Sequence, residues 1–118
     1  MRVLLATDRP SLGEALSLFL AEAHIEVVAT AADSGALVTL AAVTRPDVIL
    51  VDWQLAGAGS AGAVAELKSR GEPAPIVLLS TPEEGALASM AEADDHVTLG
   101  DHPENLVKAL REAVAARR

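Results

Sequence analysis

Residues 45–52 read Arg45-Pro46-Asp47-Val48-Ile49-Leu50-Val51-Asp52, in which Val48 to Val51 are an unbroken apolar run closed by a carboxylate. A short run without alternation marks a strand buried on both faces, the habit of a parallel sheet covered by helices. Working outward, Val3-Leu4-Leu5-Ala6 and Ile76-Val77-Leu78-Leu79 have the same character. Ile25-Glu26-Val27-Val28-Ala29 and His96-Val97-Thr98-Leu99 are weaker and read as flanking strands. Between them lie helix-length segments with apolar residues three and four apart: Leu12, Ala15, Leu16, Phe19 and Leu20 in the first, Leu106, Val107, Leu110 and Val114 in the last. Strand–helix alternation repeated about five times predicts a parallel sheet with right-handed crossovers and helices on both faces.

Helix starts carry their own signals. Ser11 with Glu14, and Thr81 with Glu84, have capping-box spacing, the latter with Pro82 at the first helical position. Asp33 and Ser60 are the expected N-caps of the second and third helices, and Pro103, behind Asp101 or His102, opens the fifth. Gly13, Gly35 and Gly85 fall early in their helices, where glycine weakens the turn.

The 118 residues fit one domain, expected to span 1–118, and suffice for a hydrophobic core without staples. With 51% hydrophobic and 22% charged residues the chain is no disordered segment. Zero cysteines exclude disulfide scaffolds, thiolate metal sites and cysteine nucleophiles. No apolar run approaches the ~20 residues of a membrane span, and the start of the chain meets Thr7-Asp8 too soon for a signal peptide, so a cytoplasmic location is expected. The net charge of −8 opposes direct nucleic-acid binding, which needs a cationic footprint, and Trp53 and Phe19 make no stacking platform for bases.

In an open parallel sheet, function gathers beyond the carboxyl ends of the strands where strand order reverses. For the order 2-1-3-4-5 that point lies between the first and third strands. Asp8 and Asp52 are then expected to share one pocket, with Ser80-Thr81 and Leu99-Gly100 along the same edge. Two carboxylates converging there repel unless a cation sits between them, and hard oxygen ligands suit Mg²⁺. A carboxylate at such a mouth can also act as a nucleophile toward phosphorus, giving an acyl phosphate.

The stretches Arg2 to Pro10, Ile25 to Val28, Arg45 to Asp52, Pro75 to Ser80 and Pro103 to Leu106 together resemble a response-regulator receiver domain of the nitrate-regulator/LuxR type, over the whole chain. The resemblance implies a flavodoxin-like (CheY-like), doubly wound (βα)₅ fold in a bacterial two-component system. It implies Asp52 as the phosphoacceptor, served by a sensor histidine kinase, and Mg²⁺ held by Asp8, Asp52 and the backbone carbonyl of Gln54. Ser80 takes the place of the switch hydroxyl, and His96 that of the usual switch aromatic. Signalling and homodimer surfaces are implied on the helix from Pro82 to Ala91 with the fifth strand and last helix, or on the first and last helices. A C-terminal DNA-binding output domain is implied if the chain is part of a longer regulator. The module itself is not expected to be an enzyme.

Three departures bear on the chemistry. Thr7 replaces the first of the family's paired acids, Leu99 replaces its lysine, and Leu55-Ala56-Gly57 lacks the loop proline; residues 97–102 hold no Lys or Arg. Losing the lysine removes a charge-assisted contact worth about 1.5–3 kcal/mol, and losing an acid weakens Mg²⁺ binding. Arg9 could lean in as a substitute cation, but, opening the following loop, it reads more readily as a solvated residue. The mechanism therefore divides between a weak phosphoacceptor and a phosphate-independent module that dimerises or binds an effector, with the missing lysine favouring the second.

Other motifs lose to plainer readings. Residues 57–62 match G-x-G-x-x-G with Glu83 and Glu84 following, but Asp52 to Ala56 separate them from the strand, and too few strand–helix units remain for a dinucleotide platform. His24, His96 and His102 have no metal-ligand spacing, and Ser80 lacks a G-x-S-x-G setting for esterase chemistry.

Overall fold

Val48–Asp52 forms a strand in which every residue is buried, and it lies at the centre of a five-stranded parallel sheet. In the computed structural model, residues 1–55, 59–81, 93–98 and 102–116 are described. The strands are β1 (Arg2–Ala6), β2 (Glu26–Ala31), β3 (Val48–Asp52), β4 (Ile76–Ser80) and β5 (Asp95–Thr98), in spatial order β2-β1-β3-β4-β5. The helices among these residues are α1 (Pro10–Glu22), α2 (Ser34–Thr44), α3 (Gly59–Ser69) and α4 (Pro103–Ala116). The expected order 2-1-3-4-5 is the observed one.

Period-2 geometry divides each central strand between two cores. Leu4, Ala6, Ile49, Val51, Ile76 and Leu78 pack with Leu37 and Ala41 of α2 and Val64 and Leu67 of α3. Val3, Leu5, Val48, Leu50, Val77 and Leu79 pack on the other face with Leu16 and Leu20 of α1 and Leu106 and Leu110 of α4. This two-sided burial is why β1, β3 and β4 read as continuous apolar runs. β2 and β5 are edge strands, partly exposed, and read weakly for that reason.

The Arg45-Pro46-Asp47 lead-in is architectural. Arg45 ends α2 in the left-handed region (φ 47°), and the Arg2 guanidinium donates to the carbonyls of Thr44 (2.7 Å) and Arg45 (3.0 Å) at the end of that helix. The Asp47 carboxylate accepts from the Arg2 backbone N–H at 2.8 Å, which fixes β3 beside β1.

Two helix starts differ from expectation. α1 begins at Pro10, whose fixed φ suits the first helical turn, so Ser11 is inside the helix and the N-cap, Arg9, makes no side-chain cap. α3 begins at Gly59, so Ser60 is a helical residue rather than its cap, and Gly59 and Gly62 of the G-x-G-x-x-G match lie within that helix. Asp33 does cap α2: its Oδ1 accepts from the Ala36 N–H at 2.7 Å. Asp33→Ala is expected to cost about 1 kcal/mol in thermal or urea unfolding, and Asp33→Asn much less. Pro103 opens α4 as expected. The Thr81–Glu84 capping box, Gly85 and the helix expected from Pro82 to Ala91 fall on residues 82–92, outside the described ones.

Candidate functional site

β1 and β3 are hydrogen-bonded neighbours, with Ala6 paired to Val51, so Thr7 and Asp52 continue side by side beyond the last matched pair. The same alternation that points Leu5 and Leu50 toward α1 brings Thr7 and Asp52 to that face. Asp52 is 1% exposed, and the Thr7 hydroxyl donates to its Oδ2 at 2.8 Å. Thr7 in turn accepts the Arg9 backbone N–H at 3.1 Å, a local hydroxyl turn that lifts Arg9 over the strand end. Gly13 in the first turns of α1 faces Thr7 closely: a Cβ there would sit 3.4 Å from the Thr7 methyl, at contact distance.

The result is a forked ion pair. Arg9 Nε donates to Asp52 Oδ2 at 2.9 Å and an Arg9 terminal nitrogen donates to Oδ1 at 2.8 Å. The Gln54 backbone N–H adds a fourth donor to Oδ1 at 3.2 Å. A carboxylate offers roughly four lone-pair sites, so donors of this one chain suffice to fill them. Parallel two-point pairing is the strongest geometry available to arginine and carboxylate. Arg9 is therefore not a solvated loop residue, and that expectation is corrected. A carboxylate buried at a strand end needs a compensating charge, and residues 97–102 supply none. That shortage was the available sequence signal, because Arg9 is the cation nearest the switch point.

The remaining residues are spread around this pair. Asp8 is exposed and engages no side-chain partner among the described residues; it lines an open groove of about 350 Å³ with Glu14, Ser17 and Thr30. Among the described residues no three acidic or histidine side chains converge as a metal cluster. Ser80 ends β4, fully buried, and its hydroxyl has no hydrogen-bond partner among the described residues. Trp53 is half-buried against the α2 and α3 core, with its backbone N–H donating to the Leu79 carbonyl at 2.8 Å. His96 is exposed on edge strand β5, His24 sits at a left-handed turn (φ 62°), and His102 is exposed before α4. Leu99, Gly100, Ala56 and Gly57 lie outside the described residues.

The Mg²⁺ donor set of Asp8, Asp52 and the Gln54 carbonyl does not fit the ion as the side chains stand. Both Asp52 oxygens already face a guanidinium, and a divalent cation cannot share them without displacing it.

Comparison with known proteins agrees with this architecture. The family model described as "Response regulator receiver domain" matches residues 3–111. A protein-glutamate methylesterase/protein-glutamine glutaminase of Myxococcus xanthus is 40% identical over 85 residues, which cover 71% of this chain and 24% of that protein. The chain spans about a quarter of the length of the curated relatives it matches. A LuxR-family two-component response regulator from Aurantimonas has 29% identity and a TM-score of 0.87 over 99% of this chain and 86% of that one. The receiver domain of a Pseudomonas aeruginosa sensor histidine kinase, with magnesium coordinated in its own active-site cleft, has 22% identity and a TM-score of 0.86, over 97% of each chain; at that identity it shows the fold alone. No helix among the described residues is long and apolar enough to cross a membrane.

Proposed function

The chain belongs to the response regulator receiver family, and on that premise we propose that it signals without a phosphoryl group on Asp52. Its place is two-component signalling. The observation that carries the reading is the fork of Arg9 on Asp52. An attacking carboxylate oxygen must present a lone pair to phosphorus. Here both oxygens are held by Arg9, and the Thr7 hydroxyl and the Gln54 N–H also donate to them. Leu99 in the lysine position removes a second contact that would draw charge from a transferring phosphoryl group.

On this reading residues 1–118 form one receiver domain, non-catalytic in itself. The methylesterase and glutaminase activities in the relatives' names belong to those proteins. Output runs through protein contacts: homodimerisation over α1 and α4, or over β5, α4 and the segment 82–92, and docking of a sensor histidine kinase or a bound effector. A cytoplasmic setting suits the module. DNA binding, if part of the output, belongs to a further domain, since this one carries a net charge of −8.

One observation favours a second reading, in which Asp52 remains a slow phosphoacceptor. The buried Ser80 hydroxyl, without a hydrogen-bond partner among the described residues, is the kind of group that closes onto a phosphoryl oxygen. Incubation with acetyl phosphate and Mg²⁺, followed by intact-mass measurement, separates the two. The first reading expects only a trace of the phosphoryl adduct. A stoichiometric adduct that disappears in Asp52→Asn would establish the second and reject the first.

A further inference from the structure

We propose that the Arg9 guanidinium is a built-in cation of this receiver, and that Arg9 alone keeps a divalent ion off Asp8 and Asp52. The inference rests on the phosphate-independent reading and deepens it, by naming the residue that closes the site and what would enter in its absence.

Geometry supplies the first argument. Arg9 reaches both oxygens of Asp52 at 2.8 and 2.9 Å, so any ion coordinating either oxygen must first break that fork. The side chain does not arrive by chance. Its root is fixed by the N–H bond to Thr7 and by Pro10 starting α1 immediately after it. Thr7 thus holds Asp52 with its hydroxyl hydrogen while its oxygen receives Arg9, and one residue sets both halves of the pair.

Charge supplies the second. An acid at position 7 would add a carboxylate beside Asp52, and the pair would then need more positive charge than one guanidinium carries. With Thr7 in place, Arg9 and Asp52 are neutral together. The threonine and the arginine therefore make a consistent set: one removes the excess negative charge that attracts a divalent ion, and the other supplies the single positive charge still required. Asp8, exposed beside them, stays solvated and needs no partner.

The closure is also reversible. Without Arg9, the carboxylate at the end of β3 would lose the cation that now holds it, with Asp8 exposed just past the end of β1. Asp52 would then be a buried anion without the guanidinium that now faces both of its oxygens. Mg²⁺ accepts one or two carboxylates and keeps several waters, which this partly open edge allows.

The experiment is a Mg²⁺ titration of the full chain, followed by thermal unfolding and by the emission of Trp53, the single tryptophan, adjacent to Asp52. Wild type is expected to show the same melting temperature and emission in millimolar Mg²⁺ and in chelator. Arg9→Ala is expected to gain a Mg²⁺-dependent rise of about 4–8 °C, as an ion at roughly ten times its Kd gives in a domain this size, with a change in Trp53 emission. Adding Asp8→Asn should abolish both gains. Should Arg9→Ala not fold, Arg9→Gln, which keeps donors without the charge, carries the same expectation. Arg9 variants that unfold cooperatively yet ignore Mg²⁺ would overturn the inference while leaving the phosphate-independent reading intact. Mg²⁺ binding by wild type at the same concentration would overturn it too. The intact-mass measurement on wild type tests the other reading separately.

Discussion

Arg9→Ala is expected to destabilise the domain by about 2–3 kcal/mol in metal-free buffer, while Asp52→Asn costs about 1 kcal/mol or less. The two partners of one ion pair are unequal because their surroundings are. Asp52 is 1% exposed, whereas the Arg9 side chain is 37% exposed. Removing the arginine strands a charge in the interior, with the Thr7 hydroxyl and the Gln54 N–H among its remaining donors. Breaking a fully buried pair this way costs about 3–5 kcal/mol, reduced here because Arg9 is partly in water. Removing the aspartate's charge instead lets Arg9 turn outward into solvent, and an asparagine oxygen still accepts from Thr7. Chemical denaturation of both variants in chelator checks the order. Equal losses, or a larger loss for Asp52→Asn, would mean that the pair does not carry the burial of this carboxylate.

Leu50→Ala is expected to cost about 3–5 kcal/mol, the range of buried leucine truncations that leave a cavity. Leu50 is fully buried at the middle of β3, paired with Leu5 on one side and Val77 on the other. It faces the core shared by α1 and α4, so no single element can shift to fill the gap. Against a typical domain stability of about 5–15 kcal/mol, this is a large fraction. Leu18→Ala on the outer face of α1, where the side chain is 70% exposed, should stay within about 0.5 kcal/mol. A shift in urea midpoint with unchanged slope for Leu50→Ala, and almost none for Leu18→Ala, is the expected pattern.

The sequence alone determined the strand–helix alternation, the buried runs of β1, β3 and β4, and from them the order of the sheet and the carboxyl edge at which Asp52 and Ser80 end their strands. These follow from near neighbours along the chain. Val48 to Val51 can satisfy their apolar side chains only between two helical layers, and Asp33 caps α2 by reaching a backbone N–H three residues on. Helix starts were less legible at Ser11 and Ser60, where the geometry of Pro10 and an earlier turn at Gly59 outweighed side-chain capping signals. The family likeness rests on the same local stretches, and the match over residues 3–111 agrees with them.

What the tertiary structure decided is the state of Asp52. Its partner stands 43 residues away in the chain, and nothing in the local sequence of either residue specifies the other. The pairing exists because β1 and β3 lie side by side, the Thr7 hydroxyl orients Arg9 over the strand ends, and burial makes an unpaired carboxylate there costly. Electrostatic pairing depends on distance through space and on exclusion of water, and only the folded chain sets both.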